Sequence, residues 1–330
     1  MADGASGPLF DRAALEAAAT LVHQHIAPTP AYRWPLLARR LGLDVVVKHE
    51  NHTPTGAFKV RGGIVYLDEL ARAGGCAGIV TATRGNHGQS IPFAARAYDI
   101  PVTVYVPEGN SREKNAAMEA WGARLVVHGH DFEASRLEAV RVAEAEGLHI
   151  VPPFAEPLVR GVATYGLELF TAHPDLDTVY VPIGMGSGIC ALITARDLLG
   201  LKTEIVGVVS SGADAYAQSF EAGEVVETAT AATFADGMAC RVPWELPFAI
   251  IRRGAARILR VTDDEVAEAV RVYYADTHNL AEGAGAAPLA GLMQERERMA
   301  GRKAGVILCG GNIDREWFLE ILAGRTPTPL

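Results

Sequence analysis

Short unbroken apolar runs alternate with helical patterns along most of this chain, and no other feature limits its fold as much. The apolar runs fall at 45–47, 78–81, 102–106, 124–127, 148–151, 178–182, 204–209 and 305–308. Helical patterns occupy 58–73, 87–98, 112–121, 131–146, 158–171 and 189–199. A strand that is apolar on both faces must be covered on both faces, as in parallel sheets joined by crossover helices. The chain has 330 residues, more than one such unit needs at roughly 100–200 residues per domain. The expected class is α/β, with two open parallel-sheet domains carrying helices on both faces. The expected division is a small, mobile domain at 51–150 inserted into a larger domain of 1–50 plus 151–330. In open α/β sheets the ligand sits beyond the carboxyl ends of the strands. A cleft between the two sheets is therefore the expected site.

Composition excludes several functions. Asp and Glu total 39 against 30 Lys and Arg, a formal charge of −9 with no basic block. Such a chain suits neither nucleic acid nor an anionic membrane surface. No apolar run reaches the length of about 18 residues that a membrane span requires. Cys76, Cys190, Cys240 and Cys309 lie far apart, with no C-x-x-C pair and no metal-type spacing. They read as reduced thiols. Residues 1–7 have neither the basic nor the apolar stretch of a secretory signal, so a cytoplasmic location is expected.

Four turns carry the chemistry. The first, at 51–63, places Phe58 and Lys59 at a helix start behind a glycine turn. A cation there faces the positive end of the helix dipole, which disfavours its charge. A neutral amine is what Schiff-base chemistry needs; an ordinary surface lysine is the plain alternative. The second turn, Thr83-Arg84-Gly85-Asn86-His87, opens another helix. Gly85 permits a tight turn. The Asn86 amide can donate and accept toward a ligand, or cap the helix. The third turn, Gly184-Met185-Gly186-Ser187-Gly188, exposes backbone N–H groups at a helix start and makes a cradle for one phosphate. It lacks both the Lys-Ser/Thr of a Walker loop and the position of a dinucleotide loop after the first strand. The fourth, Cys309-Gly310-Gly311-Asn312, ends an apolar strand. Its side chains face the same crevice, or the thiol is simply buried. A lysine, an amide, a phosphate cradle and a polar strand end on one side of the sheets form the inventory for pyridoxal 5′-phosphate.

On these motifs the sequence resembles the fold-type II pyridoxal-phosphate enzymes (tryptophan-synthase-β-like), and within them the threonine/serine dehydratase and serine racemase group. The likeness runs from Thr29-Pro30 to Asn312. The family's Ser-Phe-Lys-x-Arg-Gly stands here as Ala57-Phe58-Lys59-Val60-Arg61-Gly62, and its Ser-x-Gly-Asn-His-x-Gln as the stretch from Thr83 to Gln89. The resemblance implies that Lys59 is the Schiff-base lysine and the base at Cα. It implies that Asn86 bonds the ring hydroxyl and that the backbone of Gly184, Met185, Gly186, Ser187 and Gly188 holds the phosphate. Phe58, Glu282 and Cys309 would complete the cofactor site, Cys309 replacing a Ser near the pyridine nitrogen. Thr83, Arg84, Gly85, His87 and Asp236 would face the substrate, a small amino acid, and the enzyme would be a homodimer. The implied activity is an ammonia-lyase that turns a β-hydroxy amino acid of the threonine, serine or 3-hydroxyaspartate type into a 2-oxo acid and ammonia. A β-replacement enzyme of the cysteine-synthase type, a serine racemase and a non-catalytic ligand-binding homologue are the competing readings. His87 and the Gly62-Gly63 context favour the dehydratase group over the first, and the intact Lys59 opposes the last.

Arg84 and the cation-site stretch also depart from the family pattern. Arg84 stands where racemases have Ser. A protonated arginine is a poor base, which disfavours racemisation. It could clamp a distal carboxylate such as that of 3-hydroxyaspartate, or it could face solvent or pair with an acid. The family's divalent-cation site aligns its carboxylates with Val209 and Ala215. No metal is expected there, Asp214 being the acid that remains nearby. No regulatory domain is expected after Asn312, nor allosteric control by isoleucine.

Overall fold

The computed structural model describes residues 7–328. Residues 1–6, most of the stretch read above as carrying no secretory signal, lie outside the described residues. In chain order the strands are β1 (Ala31–Tyr32), β2 (Asp44–His49), β3 (Ile79–Ala82), β4 (Val102–Val106), β5 (Arg124–Val127), β6 (His149–Ile150), β7 (Thr178–Pro182), β8 (Glu204–Ser210), β9 (Arg257–Val261) and β10 (Lys303–Leu308). The helices are α1 (Arg12–His25), α2 (Pro35–Leu41), α3 (Lys59–Arg72), α4 (Asn86–Ala95), α5 (Arg112–Ala120), α6 (Phe132–Glu146), α7 (Glu156–Ala172), α8 (Ser187–Leu198), α9 (Ala215–Ala222), α10 (Glu245–Gly254), α11 (Asp263–Thr277), α12 (Gly283–Gln294) and α13 (Arg315–Leu322).

Among the described residues these strands form two sheets. A six-stranded sheet has the order β1-β2-β10-β7-β8-β9, and a four-stranded sheet the order β5-β4-β3-β6. Every pairing is parallel except that of β1 on β2. The smaller sheet shows why its strands read as continuous apolar runs. Ile79, Val102, Val104 and Val106 pack with Ile91 of α4 and Met118 of α5. Val80, Ala82 and Tyr105 pack with Ala139 and Ala143 of α6. Successive residues point to opposite faces, and helices cover both. In the larger sheet α8 and α12 both lie against β7 and β8. Both helices are buried over most of their length.

Several elements differ from the sequence reading. The helix expected at 189–199 starts two residues earlier, at Ser187, so the glycine loop runs directly into it. The helix expected at 87–98 ends at Ala95 and finishes in a 3-10 turn over Arg96–Tyr98. Strand β9, Arg-Ile-Leu-Arg-Val, has no counterpart in the sequence reading; it is an edge strand that is only half-buried until Val261. Its arginines are paired, Arg257 with Glu204 and Glu295, and Arg260 with Asp214 and Glu221. Asp214 is thus engaged by a guanidinium at 2.8 Å. Among the described residues no helix is long and apolar enough to cross a membrane, and all four cysteines are free thiols.

A buried charge cluster ties these layers together. Arg61 in the first turn of α3 and Glu50 just past β2 are both fully buried. Arg61 Nε donates to Glu50 at 2.7 Å and Nη1 to Glu168 of α7 at 2.7 Å. Lys48 of β2, also buried, donates to Glu168 and to the Thr29 carbonyl, the latter at 2.7 Å. Burial alone would raise the Glu168 carboxyl, but Arg61 and Lys48 hold it down at about 2. Breaking a buried pair from one side leaves a charge without a partner and costs about 3–5 kcal/mol. Arg61→Met is expected to lower unfolding stability by that amount in urea titrations, and an unchanged midpoint would contradict this account.

Candidate active site

The loops that leave β2, β10 and β7 meet because those strands are neighbours in the larger sheet. After β2 the chain turns and starts α3 at Lys59. After β10 the backbone of Cys309 accepts from Phe58 N at 2.9 Å, Ala57 bridges to Gly310, and Gly311 N donates to the Gly56 carbonyl. The Lys59 turn is therefore stitched to the end of a strand some 250 residues later in the chain. After β7 comes the glycine loop and α8. Gly186 caps α8 with φ +96°, a left-handed conformation that favours glycine, and no side chain caps the helix. The first backbone N–H groups of α8 are thus free to receive an anion.

Lys59 reaches this loop. Its Nζ donates to Ser187 Oγ at 2.7 Å and lies 5.0 Å from the Phe58 ring centre. Burial brings the amine down to about 8, with Cys309 opposing slightly. The expected lowering is present, and burial is its largest cause. Phe58 packs edge-on against Tyr165 of α7. Cys309 is buried, and burial together with Glu282 holds its thiol well above the ordinary range, against the pull of Lys59. It is a neutral thiol.

Asn86 does not cap its helix. It is the first residue of α4, behind Gly85. Its Nδ2 donates to Glu282 Oε1 at 2.6 Å, and its Oδ1 accepts from Asn312 Nδ2 at 2.8 Å. Glu282 is buried, and burial raises its carboxyl against the pull of Lys114. Asp236 is held by Lys114 rather than presented freely, with Nζ–O distances of 2.6 and 2.8 Å. Thr83 is buried, and its Oγ1 accepts from Gly85 N. His87 is buried with no partner at Nε2. Burial and the nearby Lys59 bring it down to about 3, a hydrogen bond to the Val151 backbone opposing, so its imidazole is neutral. Arg84 is half-buried, and among the described residues it has neither an ion pair nor a side-chain hydrogen bond. It is not paired with an acid, which removes one of the plain alternatives.

Sequence reasoning missed Lys114 and gave Asn312 no bonding partner. Lys114 carries no motif, and only the fold brings it to Asp236 and Glu282. Asn312 was within reach, because it ends the Cys-Gly-Gly-Asn turn.

The site has an uncapped helix start for a phosphate, a low-pKa amine one hydrogen bond away, an amide held by two partners and a neutral thiol at a strand end. These groups fit pyridoxal 5′-phosphate. Comparison with known proteins agrees. Residues 22–310 match the model of the pyridoxal-phosphate dependent enzyme family, and the chain belongs to that family. Among its relatives, the L-threonine ammonia-lyase of Geobacter sulfurreducens is 36% identical over 84% of this chain and 69% of its own. The L-threo-3-hydroxyaspartate ammonia-lyase of Saccharomyces cerevisiae is 29% identical over 94% of this chain and 96% of its own. The solved threonine deaminase isoform 2 of Solanum lycopersicum superimposes with a TM-score of 0.88 at 26% identity, covering 96% of this chain and 95% of that one.

The Lys59 amine titrates at about 8 in the fold and near 10.5 when unfolded. Between those values the unfolded chain binds the extra proton, so stability rises with pH across that window. Below pH 8 the burial cost is fully present, on the order of 3 kcal/mol. Lys59→Met removes it. In the cofactor-free protein the variant should be the more stable at pH 7, with the advantage shrinking to nothing by about pH 10.5. A difference that stays constant over that range would refute the buried-amine account.

Proposed function

We propose that this enzyme is an ammonia-lyase that converts a β-hydroxy amino acid to a 2-oxo acid and ammonia. One observation carries the reading: the half-buried amine of Lys59, brought down to about 8, lies 2.7 Å from Ser187 at the phosphate cradle. Pyridoxal 5′-phosphate, when bound, supplies the electron sink that acidifies the substrate's Cα–H bond. Lys59 is then the base for that proton, since an amine titrating near the working pH is suited to take and return it. The Ser187 and Gly188 N–H groups, with the loop backbone of Gly184, Met185 and Gly186, hold the phosphate. Asn86, fixed by Glu282 and Asn312, would offer its amide to the ring. Near the ring nitrogen, where the resemblance puts it, the neutral Cys309 thiol would supply no counter-charge, which would favour loss of the β-hydroxyl over transamination. The substrate's β-hydroxyl leaves as water, and one water returns as ammonia departs, so the 2-oxo acid and ammonia balance the starting amino acid. Thr83, Gly85 and His87 line the substrate side. A guanidinium is a poor base in proteins, so position 84 offers no second proton carrier for racemisation. The cytoplasmic reading follows from the lack of a secretory-signal pattern at 1–7, and the homodimeric reading from the resemblance. Movement of residues 51–150 against the rest rests on the separate four-stranded sheet that they carry.

An unpaired, half-buried guanidinium beside the Asn86 turn favours a substrate with a second, distal carboxylate. The test is ammonia and 2-oxo acid release by the cofactor-loaded enzyme from L-threonine, L-serine and L-threo-3-hydroxyaspartate. A charge-assisted contact is worth about 1.5–3 kcal/mol, or roughly 10- to 100-fold. Arg84→Ala should lower kcat/KM for 3-hydroxyaspartate by that factor and leave threonine and serine within about threefold. An equal loss on all three would remove Arg84 from substrate recognition. Silence on every substrate, with cofactor bound, would overturn the lyase reading.

A further inference from the structure

Lys114 belongs to none of the motifs above, yet it is a buried cation beside the Asn86 turn. It lies in the first turn of α5, where the helix dipole opposes a positive charge. Its side chain is 7% exposed, so the charge depends on its partners. Those partners belong to the other side of the cleft. Its ammonium is 2.6 and 2.8 Å from the two Asp236 oxygens and 3.2 Å from Glu282 Oε2. The stem passes tightly over Gly85, where an added Cβ would sit 2.4 Å from Lys114 Cδ. The same end of α5 makes two more such contacts. Ser111 Oγ donates to Asp314, and Glu113 Oε1 accepts from Arg315 N at 3.1 Å. Helix α5 covers the smaller sheet, whereas Asp236, Glu282 and Asp314 lie in the part of the chain that builds the larger one.

Glu282 is the hinge of the argument. One of its oxygens faces Lys114 and the other accepts from Asn86 Nδ2 at 2.6 Å. Asn86 in turn accepts from Asn312 at 2.8 Å. A continuous chain of contacts therefore runs from α5, across the cleft, to the amide at the cofactor position. A carboxylate accepts from an amide more strongly than a protonated carboxyl does, and a buried carboxylate needs a cation to remain ionised.

We propose that Lys114 is a positioning residue: it clasps Asp236 and Glu282 across the cleft and, through Glu282, holds the Asn86 amide in its binding orientation. The inference rests on Asn86 as a cofactor ligand. It does not depend on which substrate is turned over.

The test is a double-mutant cycle read on pyridoxal 5′-phosphate affinity by equilibrium titration of the cofactor-free chain, together with amide hydrogen exchange. Lys114→Met is expected to weaken cofactor binding about tenfold. Exchange across residues 111–120 and 234–239 should speed up by a similar factor. In an Asn86→Ala background the same Lys114 change should cost less than twofold, because the amide it positions is gone. A structural ion pair with no positioning role predicts the faster exchange with unchanged affinity, or additive losses in the cycle; either result overturns the proposal. So does an Asn86→Ala protein that binds cofactor as tightly as its parent, which would also strike Asn86 from the binding site. If Lys114→Met does not fold, Asp236→Asn carries the test. It should speed exchange over the same residues and weaken affinity about threefold, and no change in either overturns the clasp. None of these readouts is turnover, so an inactive enzyme in the ammonia assay leaves the inference standing.

Discussion

Arg61 has no accessible surface and is clamped by Glu50 and Glu168, while Lys48 completes the set from β2. Two cations and two carboxylates balance, so the cluster is neutral as a whole and tolerable inside a core. Its geometric role is larger than any energetic one. Lys48 and Glu50 come from the end of β2, Arg61 from α3, Glu168 from α7 and Thr29 from the segment before β1. Fixing Arg61 fixes the first turn of α3, and Lys59 lies two residues before it. The direction in which the amine points is set by a charge cluster that never meets the cofactor.

The strand order does the rest. Residues 49, 182 and 308 are remote in sequence, yet β2, β10 and β7 stand side by side. Parallel pairing brings their carboxyl ends to one edge. Three turns of separate origin thereby supply the amine, the neutral thiol and the phosphate cradle. The fourth, the Asn86 turn, comes from β3 of the other sheet and is joined to them by the packing of α4 on α3, by Ser90 Oγ donating to the Lys59 carbonyl, and through Glu282 and Asn312. The backbone builds three quarters of the site, and helix packing and polar contacts attach the remainder.

This division explains what the sequence showed and what it hid. Lys59, Asn86, the glycine loop and Cys309 sit at strand ends or helix starts, and local patterns mark such places. The contiguous apolar strands were legible for the same reason: Val45–Val47 and Val102–Val106 are covered on both faces, and their composition says so. Strand β9 was not legible, because two arginines interrupt its aliphatic run at a sheet edge and their acid partners are far along the chain. Lys114 was hidden for a stronger reason. Within α5 it reads as an ordinary polar residue of an exposed helix, and only tertiary packing buries it. The Lys59 amine was expected to be easily deprotonated, and it is, but through enclosure, which no local pattern reports.

Two cations flank the Asn86 turn, and they differ in one respect that decides their roles. Lys114 is surrounded by acids, so it has little attraction left for an incoming anion. Among the described residues Arg84 has no ion pair. In a chain of formal charge −9, the long-range field repels anions and is screened over roughly 8–10 Å of salt solution. At the cleft the near field governs, and there the unpaired guanidinium is the group with charge to offer. A half-buried cation kept without a partner costs desolvation that a paired one largely recovers, so its retention makes sense where a ligand supplies the missing carboxylate. On the proposed reading the two cations divide the work: Lys114 spends its charge on the protein's own geometry, and Arg84 keeps its charge for the substrate.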